Sequence, residues 1–365
     1  MTIKNFRDLI TEVHNKGICQ ECGGCVSFCN AIESGVIGFK TSRGPPEFLN
    51  EDSCLECGIC YAICPQTHFL DDDLDEIYNF SDFSSMPLGH IRNLYICQTN
   101  DPEFLECGID GGVVNTFINF LLERKMIDGA IVAKTKTAFS RESSIAKNRK
   151  DLIDSSGVRL DLAHQVTEVQ KFHTYTSSIS ELKKIKFDRL AIVGTPCQIY
   201  TIRCMQDLGI IPSQNIDLCL GLFCYENFFF DKAKSEQFEN NFKIKFEDVE
   251  KINIKEDLII KLRNGKTLHI PFEKLNNYMR SACNACNDFT NIYADISFGG
   301  LGSPDKFTTV ITRTKKGDDL FRKILDAGAI KSLKVNAQQL NEINSLLTKF
   351  SNEKVMRKAA FINQG

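Results

Sequence analysis

The chain has 365 residues, a formal net charge of −3 and 16 cysteines. At about 100–200 residues per domain there is room for two or three domains, enough to bury cores without disulfide staples. The near-neutral balance excludes the basic footprint of a nucleic-acid binder. No window approaches the ~20 apolar residues of a membrane span, since the best candidate, Ile216 to Phe230, contains Asp217, Glu226 and Asn227. The opening Met1-Thr2-Ile3-Lys4 lacks the basic and then apolar pattern of a secretory leader. A reducing cytoplasm is therefore expected, where cysteines serve metal or redox chemistry.

The N-terminal 70 residues carry an internal repeat. Cys19, Cys22, Cys25 and Cys29 recur at Cys54, Cys57, Cys60 and Cys64, each offset by 35, and Glu-Cys-Gly recurs with them. Both copies read C-x2-C-x2-C-x3-C, and Pro65 follows the second. Three thiolates at this spacing wrap a cubane, and in two-cluster ferredoxins the fourth cysteine of each run ligates the other cluster. The expected ligand sets are Cys19, Cys22, Cys25 and Cys64 for one [4Fe–4S] cluster, and Cys54, Cys57, Cys60 and Cys29 for the second. Structural zinc uses separated C-x2-C pairs instead, a different pattern. Asn30 stands where ferredoxins usually place a proline, which touches loop geometry rather than ligation.

Residues 71–88, with their acidic run Asp71 to Glu76 and Ser84, Ser85 and Pro87, read as a linker. Strands and helices alternate from there to about residue 330. Leu94–Gln98 is a predicted strand, and Val113–Lys125 a helix with Val114, Phe117, Ile118, Leu121 and Leu122 on one face. Strands are expected at Ile131–Ala133, Leu190–Val193 and Ile216–Phe223, with a helix at Gln198–Leu208. Asn264–Gly265 marks a hairpin between Leu258–Leu262 and Thr267–Ile270. Tyr293–Phe298 and Thr308–Thr312 are late strands, and residues 331–365 form a helical tail. The fold class is α/β (α+β), preceded by the ferredoxin-like domain.

Four further thiols sit at ends of predicted elements: Cys197 in Gly194-Thr195-Pro196-Cys197-Gln198, Cys224 after a strand, and the pair Cys283 and Cys286 in a polar loop. Strand ends on one edge of a sheet face one crevice, so a third cluster and inert buried thiols are both open readings. Asp110-Gly111-Gly112 before a helix suits an anion cradle, or an ordinary N-cap and turn. Gly299-Gly300-Leu301-Gly302 is similar. The basic run Lys134, Lys136, Arg141, Lys147, Arg149 and Lys150 suits an anionic cofactor or a solvated face. The six histidines are scattered and expected to be packing or surface residues.

The Asp-Gly-Gly-Val-Val helix start, Val193-Gly-Thr-Pro-Cys-Gln198, Gly221-Leu-Phe-Cys224, and Cys283-x2-Cys286-x-Asp288 with Ala294-Asp295-Ile296 resemble the coenzyme F420 hydrogenase/dehydrogenase beta-subunit family. The resemblance spans about Gly89 to Leu325. The fused N-terminal unit is similar to that of F420H2 dehydrogenase input subunits and of the N-terminal half of F420-dependent sulfite reductases. It implies an FAD-binding domain over residues 89–330 with a cluster on Cys197, Cys224, Cys283 and Cys286. It also implies flavin contacts at Gly111, Gly112, Val113, Asn115, Lys134, Gly299 and Gly300. The implied activity is hydride exchange between coenzyme F420 and flavin, with electrons passed singly to a redox partner or larger complex, which leaves room for peripheral membrane docking through that partner. No side chain is expected to be catalytic in the usual sense. Two alternatives stand beside it: a chlorophyll-pathway reductase of the same family, and an electron-relay adaptor without its own substrate. Cys97, Cys107, Cys204 and Cys219 are left as expected packing residues.

Overall fold

A computed structural model describes residues 3–33, 35–41, 44–135, 141–157, 165–167, 169 and 188–363. The basic-run residue Lys136, the side chain of Arg141, His164 and His173 lie outside what is described.

The N-terminal unit is built on the cysteine repeat. Gly24–Ile32 and Ile59–Ala62 are the two helices that follow the repeated Glu-Cys-Gly, each opened by a left-handed glycine, Gly23 at φ 88° and Gly58 at φ 77°. Glu21 and Glu56, two residues earlier, are left-handed as well, at φ 49° and 51°. The duplication therefore repeats in backbone conformation, and glycine is the residue that tolerates the tighter of these turns. Phe6, Leu9, Val13, Val26, Val36 and Ile37 form a small core beneath the thiols.

The predicted linker is not a loop throughout, because Asp71–Tyr78 is helical. Three aspartates in its first turn favour the positive helix end, and buried Leu74 docks it beside Tyr200, Ile202 and Tyr293. Tyr200 and Tyr293 donate to Asp71 and Asp75, both at 2.6 Å.

An eight-stranded mixed sheet forms the large domain. Its order is Ile330–Ser332, Asn93–Thr99, Thr308–Thr312, Ile296–Gly299, Ile216–Leu222, Leu190–Gly194, Gly129–Thr135, Arg141–Ala146. The four strands from Ile296–Gly299 to Gly129–Thr135 run parallel, and the outer pairings are antiparallel. The parallel strands are mostly apolar and largely buried, with Asp217 and Lys134 as exposed exceptions near their ends, as a sheet covered on both faces requires. Helices Val113–Glu123 and Lys315–Asp326 cover one face through Phe117, Leu121, Phe321 and Ile324. Helix Pro196–Asp207 covers the other with Ile199, Ile202 and Met205.

The hairpin at Gly265 forms as predicted and is joined by a third strand, Val249–Ile254, giving a separate small sheet with its own aromatic core. The C-terminal helix runs from Ala337 to Ile362. It is not a free tail, because Leu347, Ser351 and Lys354 are fully buried. Among the described residues, no helix is long and apolar enough to cross a membrane.

Candidate functional site

Parallel strands present their carboxyl ends to one crevice. Here those ends are Gly194-Thr195, Leu222-Phe223-Cys224 and Gly299-Gly300, and all of them line a cavity of about 290 Å³. Opposite lies the start of helix Val113–Glu123. Its N-cap, Gly112, is left-handed at φ 66° and supplies no side chain to the first-turn N–H groups. Val113, Val114 and Asn115 of that turn line the cavity. An uncapped helix start carries about half a positive charge and free donors, the requirements of an anion site.

Asp110 is therefore not the N-cap. It is itself left-handed, at φ 54°, and its carboxyl packs against Gly300, where a Cβ would come within 2.4 Å of Oδ2. Burial pushes this carboxyl up to about 6, against the opposing pull of Lys255, and Oδ1 has no hydrogen-bond partner. Gly111 lies outside the cavity wall. It is locked in the sheet, donating to Thr308 Oγ1 at 3.0 Å, and a Cβ there would sit 2.5 Å from the Cys97 carbonyl. Gly299 is held small by the Phe223 ring, which a Cβ would approach to 2.0 Å. Lys134 is exposed on the strand register facing Glu142 and is not part of this cavity's lining. Arg149 of the basic run is committed elsewhere, to Asp101 at 2.7 Å and Glu103 at 2.7 Å.

An aromatic wall closes the far side. Phe289 packs on Phe223 at 5.5 Å and on Phe350 at 6.1 Å, and Tyr225 meets Phe350 at 5.5 Å between ring centroids. Phe350 comes from the C-terminal helix, a contribution that sequence periodicity did not reveal.

Cys224 is both a cavity residue and a member of a thiol group. Burial and then the neighbouring Cys283 and Cys286 thiols push it up to about 12, with Lys354 opposing. Cys197, in the first turn of helix Pro196–Asp207, is raised by burial, then by Cys22, Cys286 and Cys224. The structure thus gathers Cys197, Cys224, Cys283 and Cys286, and sets Cys22 of the N-terminal unit beside them. Cys22 Sγ lies 3.6 Å from Thr201 Oγ1 on the Cys197 helix.

The N-terminal thiols influence one another, within each expected set and, from Cys60 to Cys25 and Cys64, between them. Burial raises Cys25 and Cys19; Cys22, Cys19 and Cys64 add to the first, Cys64 and Cys22 to the second. Burial and then Cys54 and Cys57 push Cys29 up to about 11, while burial and then Cys57, Cys29 and Cys54 push Cys60 up to about 12. Among the described residues no three ligating side chains converge on one metal ion. A cubane asks for less convergence, since each thiolate binds its own iron. Cys57 is exposed at the outer end, with Ile32 and Leu55, 50% and 69% exposed, beside it.

Of the remaining thiols, Cys97, Cys204 and Cys219 are fully buried in the sheet and its helices. Cys107 is half-buried, 3.4 Å from Ser156 Oγ at the cavity edge.

Comparison with known proteins fits this geometry. Residues 94–170 match the N-terminal description, and residues 187–338 the C-terminal description, of the coenzyme F420 hydrogenase/dehydrogenase beta subunit. The chain belongs to this family. The coenzyme F420-dependent sulfite reductase of Methanocaldococcus jannaschii is 27% identical over 96% of the chain, which spans about half (52%) of that enzyme's length. An F(420)H(2) dehydrogenase subunit of Methanosarcina mazei is 25% identical, covering 87% of the chain and 85% of its own length. The coenzyme F420 hydrogenase subunit beta of Methanococcus voltae is 27% identical over 69% of the chain and 87% of its own length. Among solved structures, a chain from the F420-reducing [NiFe] hydrogenase complex of Methanosarcina barkeri superposes with a TM-score of 0.67 at 25% identity, covering 76% of this chain and 93% of that one. The shorter beta-subunit matches leave part of this chain uncovered, whereas the matches to the sulfite reductase and the dehydrogenase extend over most of it.

Proposed function

We propose that this beta-subunit family member is an iron–sulfur flavoprotein that oxidises reduced coenzyme F420 and hands the electrons singly to a redox partner protein, or runs in reverse. The observation that carries this reading is continuity: Cys224 lines the cavity, its group mate Cys197 faces Cys22, and the N-terminal sets lead on to exposed Cys57. When bound, FAD would supply the conversion between hydride and single electrons, and three [4Fe–4S] clusters the one-electron relay.

The residues fit such groups. The uncapped start at Gly112 and Val113 offers backbone donors to a pyrophosphate, with Asn115, Gly299 and Gly300 around it; Gly111 acts through packing, and Lys134 remains a proposed contact. The aromatic wall of Phe223, Tyr225, Phe289 and Phe350 excludes water and offers flat faces to a ring system. Cys19, Cys22, Cys25 and Cys64, Cys29, Cys54, Cys57 and Cys60, and Cys197, Cys224, Cys283 and Cys286 are the proposed cluster ligands. No side chain need act as acid or base; orientation is the protein's contribution. The partner, or larger complex, would meet the apolar surface of Ile32 and Leu55 beside Cys57, with Glu33 and Glu56 next to it. A cytoplasmic, reducing setting suits 16 unpaired thiols.

The test is anaerobic. Protein carrying about twelve irons and one FAD should have its flavin bleached by reduced coenzyme F420 and pass electrons to a viologen dye. Cys283→Ser should remove about four of those irons. A fully loaded protein that reduced coenzyme F420 leaves unbleached sinks the enzyme reading. Flavin-free protein with about eight irons favours the relay adaptor.

A further inference from the structure

Lys354 is 1% exposed, an unusual position for an ammonium, since lysine is almost never fully buried unless paired. It projects from the C-terminal helix into the third thiol group. Its Nζ donates to the Asp288 carbonyl at 2.6 Å, the Cys224 carbonyl at 2.8 Å and Cys286 Sγ at 3.2 Å. All three donors of the ammonium are used, and each holds one side of the Cys224 and Cys286 loops. Among the described residues, no carboxylate shares the site as its salt-bridge partner. Asp288 turns its carboxyl to the backbone of Asn291 and Ile292, and Glu226 is paired with Arg357 one turn along the same helix, at 2.9 Å.

A buried charge needs an opposite charge to offset its desolvation. Its hydrogen bonds go to two carbonyls and a thiol, and the nearby Asp288 and Glu226 carboxylates are already engaged by backbone N–H groups and by Arg357. Four thiolates around an iron–sulfur cubane carry net negative charge, which grows by one on reduction, and net charge and hydrogen bonds to sulfur set the cluster potential.

We propose that Lys354 is a positioning residue for the flavin-side cluster: its ammonium ties the Cys224 and Cys286 loops together and, through the bond to Cys286 Sγ, raises that cluster's reduction potential. The inference rests on the proposed ligation by Cys197, Cys224, Cys283 and Cys286. A cation bonded to sulfur stabilises the more negative, reduced state most, so it makes this cluster the easier one to fill from the cavity side. The C-terminal helix thereby becomes part of the redox site. It also supplies Phe350 to the cavity wall and sets Lys358 against His68 at 3.0 Å.

The test compares wild type, Lys354→Met and Lys354→Arg as full-length, anaerobically purified protein, reading iron content and cluster midpoint potentials by EPR-monitored titration. Methionine keeps the stem without the charge. With irons retained, its flavin-side cluster should lose about tenfold in reduction equilibrium, a fall of about 59 mV for one electron, with arginine recovering part of it. Loss of about four irons in Lys354→Met but not in Lys354→Arg also supports the proposal. Full iron with an unmoved potential in Lys354→Met overturns it, as does equal iron loss in both variants. If Lys354→Met yields no soluble protein, wild type decides. The reduced cluster in D2O should couple strongly to an exchangeable deuteron that Lys354→Arg alters, and an unaltered coupling overturns the proposal. Failure of the ligation itself looks different: Cys283→Ser would then leave the iron count unchanged in the presence of Lys354.

Discussion

Asp110→Asn removes a buried negative charge at the lip of the cavity while keeping the shape of the side chain. The carboxyl is carried from the usual 3.8 up to about 6, chiefly by burial. At 1.36 kcal/mol per tenfold, ionising it in the folded protein costs about 3 kcal/mol relative to the unfolded chain. The sign follows from proton binding. The folded state holds this proton more tightly, so the cost is absent below pH 4, grows as pH rises through 4 to 6, and is complete above. The groups facing the carboxyl are Lys255, the Asn253 amide, Lys251 and Asp305, and Lys255 is already paired with Asp305 at 2.9 Å. Asparagine lacks the penalty, so the variant should melt higher at pH 8, and at pH 4.5 by only about a third as much. With about 2.1 cal/mol/K of unfolding entropy per residue, the gain is about 4 °C if the whole chain melts together. Differential scanning calorimetry of anaerobic holoprotein across that range measures it. Parallel melting curves at all pH values, with no gain at pH 8, would refute the reasoning.

Two further outcomes follow from packing. Arg203 and Asp295 form a buried pair at 2.8 Å, 9% and 7% exposed, and Asp295 also accepts from the Cys219 N–H at 2.8 Å. Arg203→Met strands that carboxylate and should cost about 3–5 kcal/mol, seen as a lowered urea midpoint; an unchanged midpoint would contradict the pairing. Gly23 and Gly35 both have positive φ, but a Cβ on Gly23 would lie 1.9 Å from Thr167 Oγ1, whereas none of the described atoms lies within 4 Å of one on Gly35. Gly23→Ala should lower iron content by about four, while Gly35→Ala should cost only about 1–2 kcal/mol and keep its irons. Equal iron contents in the two variants would break the argument.

Much of this architecture is legible in the residues because two kinds of signal are strong. The duplicated cysteine run is one: each copy repeats the same left-handed turns and the same following helix. Buried parallel strands are the other, since Leu190–Gly194 is an unbroken apolar run and Ile216–Leu222 is interrupted only by Asp217. What stayed hidden has weak local patterning. Strand Arg141–Ala146 reads as a charged and polar stretch, and helix Lys232–Phe242 buries only Phe238. The acidic start of Asp71–Tyr78 suggested a linker, although acids at a helix N-terminus stabilise it. At the site, Gly111 looked like part of a ligand cradle because sequence cannot separate a glycine that lines a cavity from one that packs against its own chain. Lys354 was invisible for a related reason. A lysine in a polar helix reads as solvated until tertiary packing turns it inward.

The seam at Gly24 has a kinetic meaning. A Cβ there would fall 2.0 Å from Thr201 Cγ2 on the helix that carries Cys197, and Gln20 reaches across to the Ala282 carbonyl at 2.7 Å. Two electron carriers that must find each other by diffusion transfer at a rate set by their concentrations. Carriers joined in one chain with no room between them meet at an effective concentration set by covalent attachment, in the millimolar range or above. On the proposed relay, dilution should leave traffic across this seam untouched and slow only the last hand-over, at the face around Cys57.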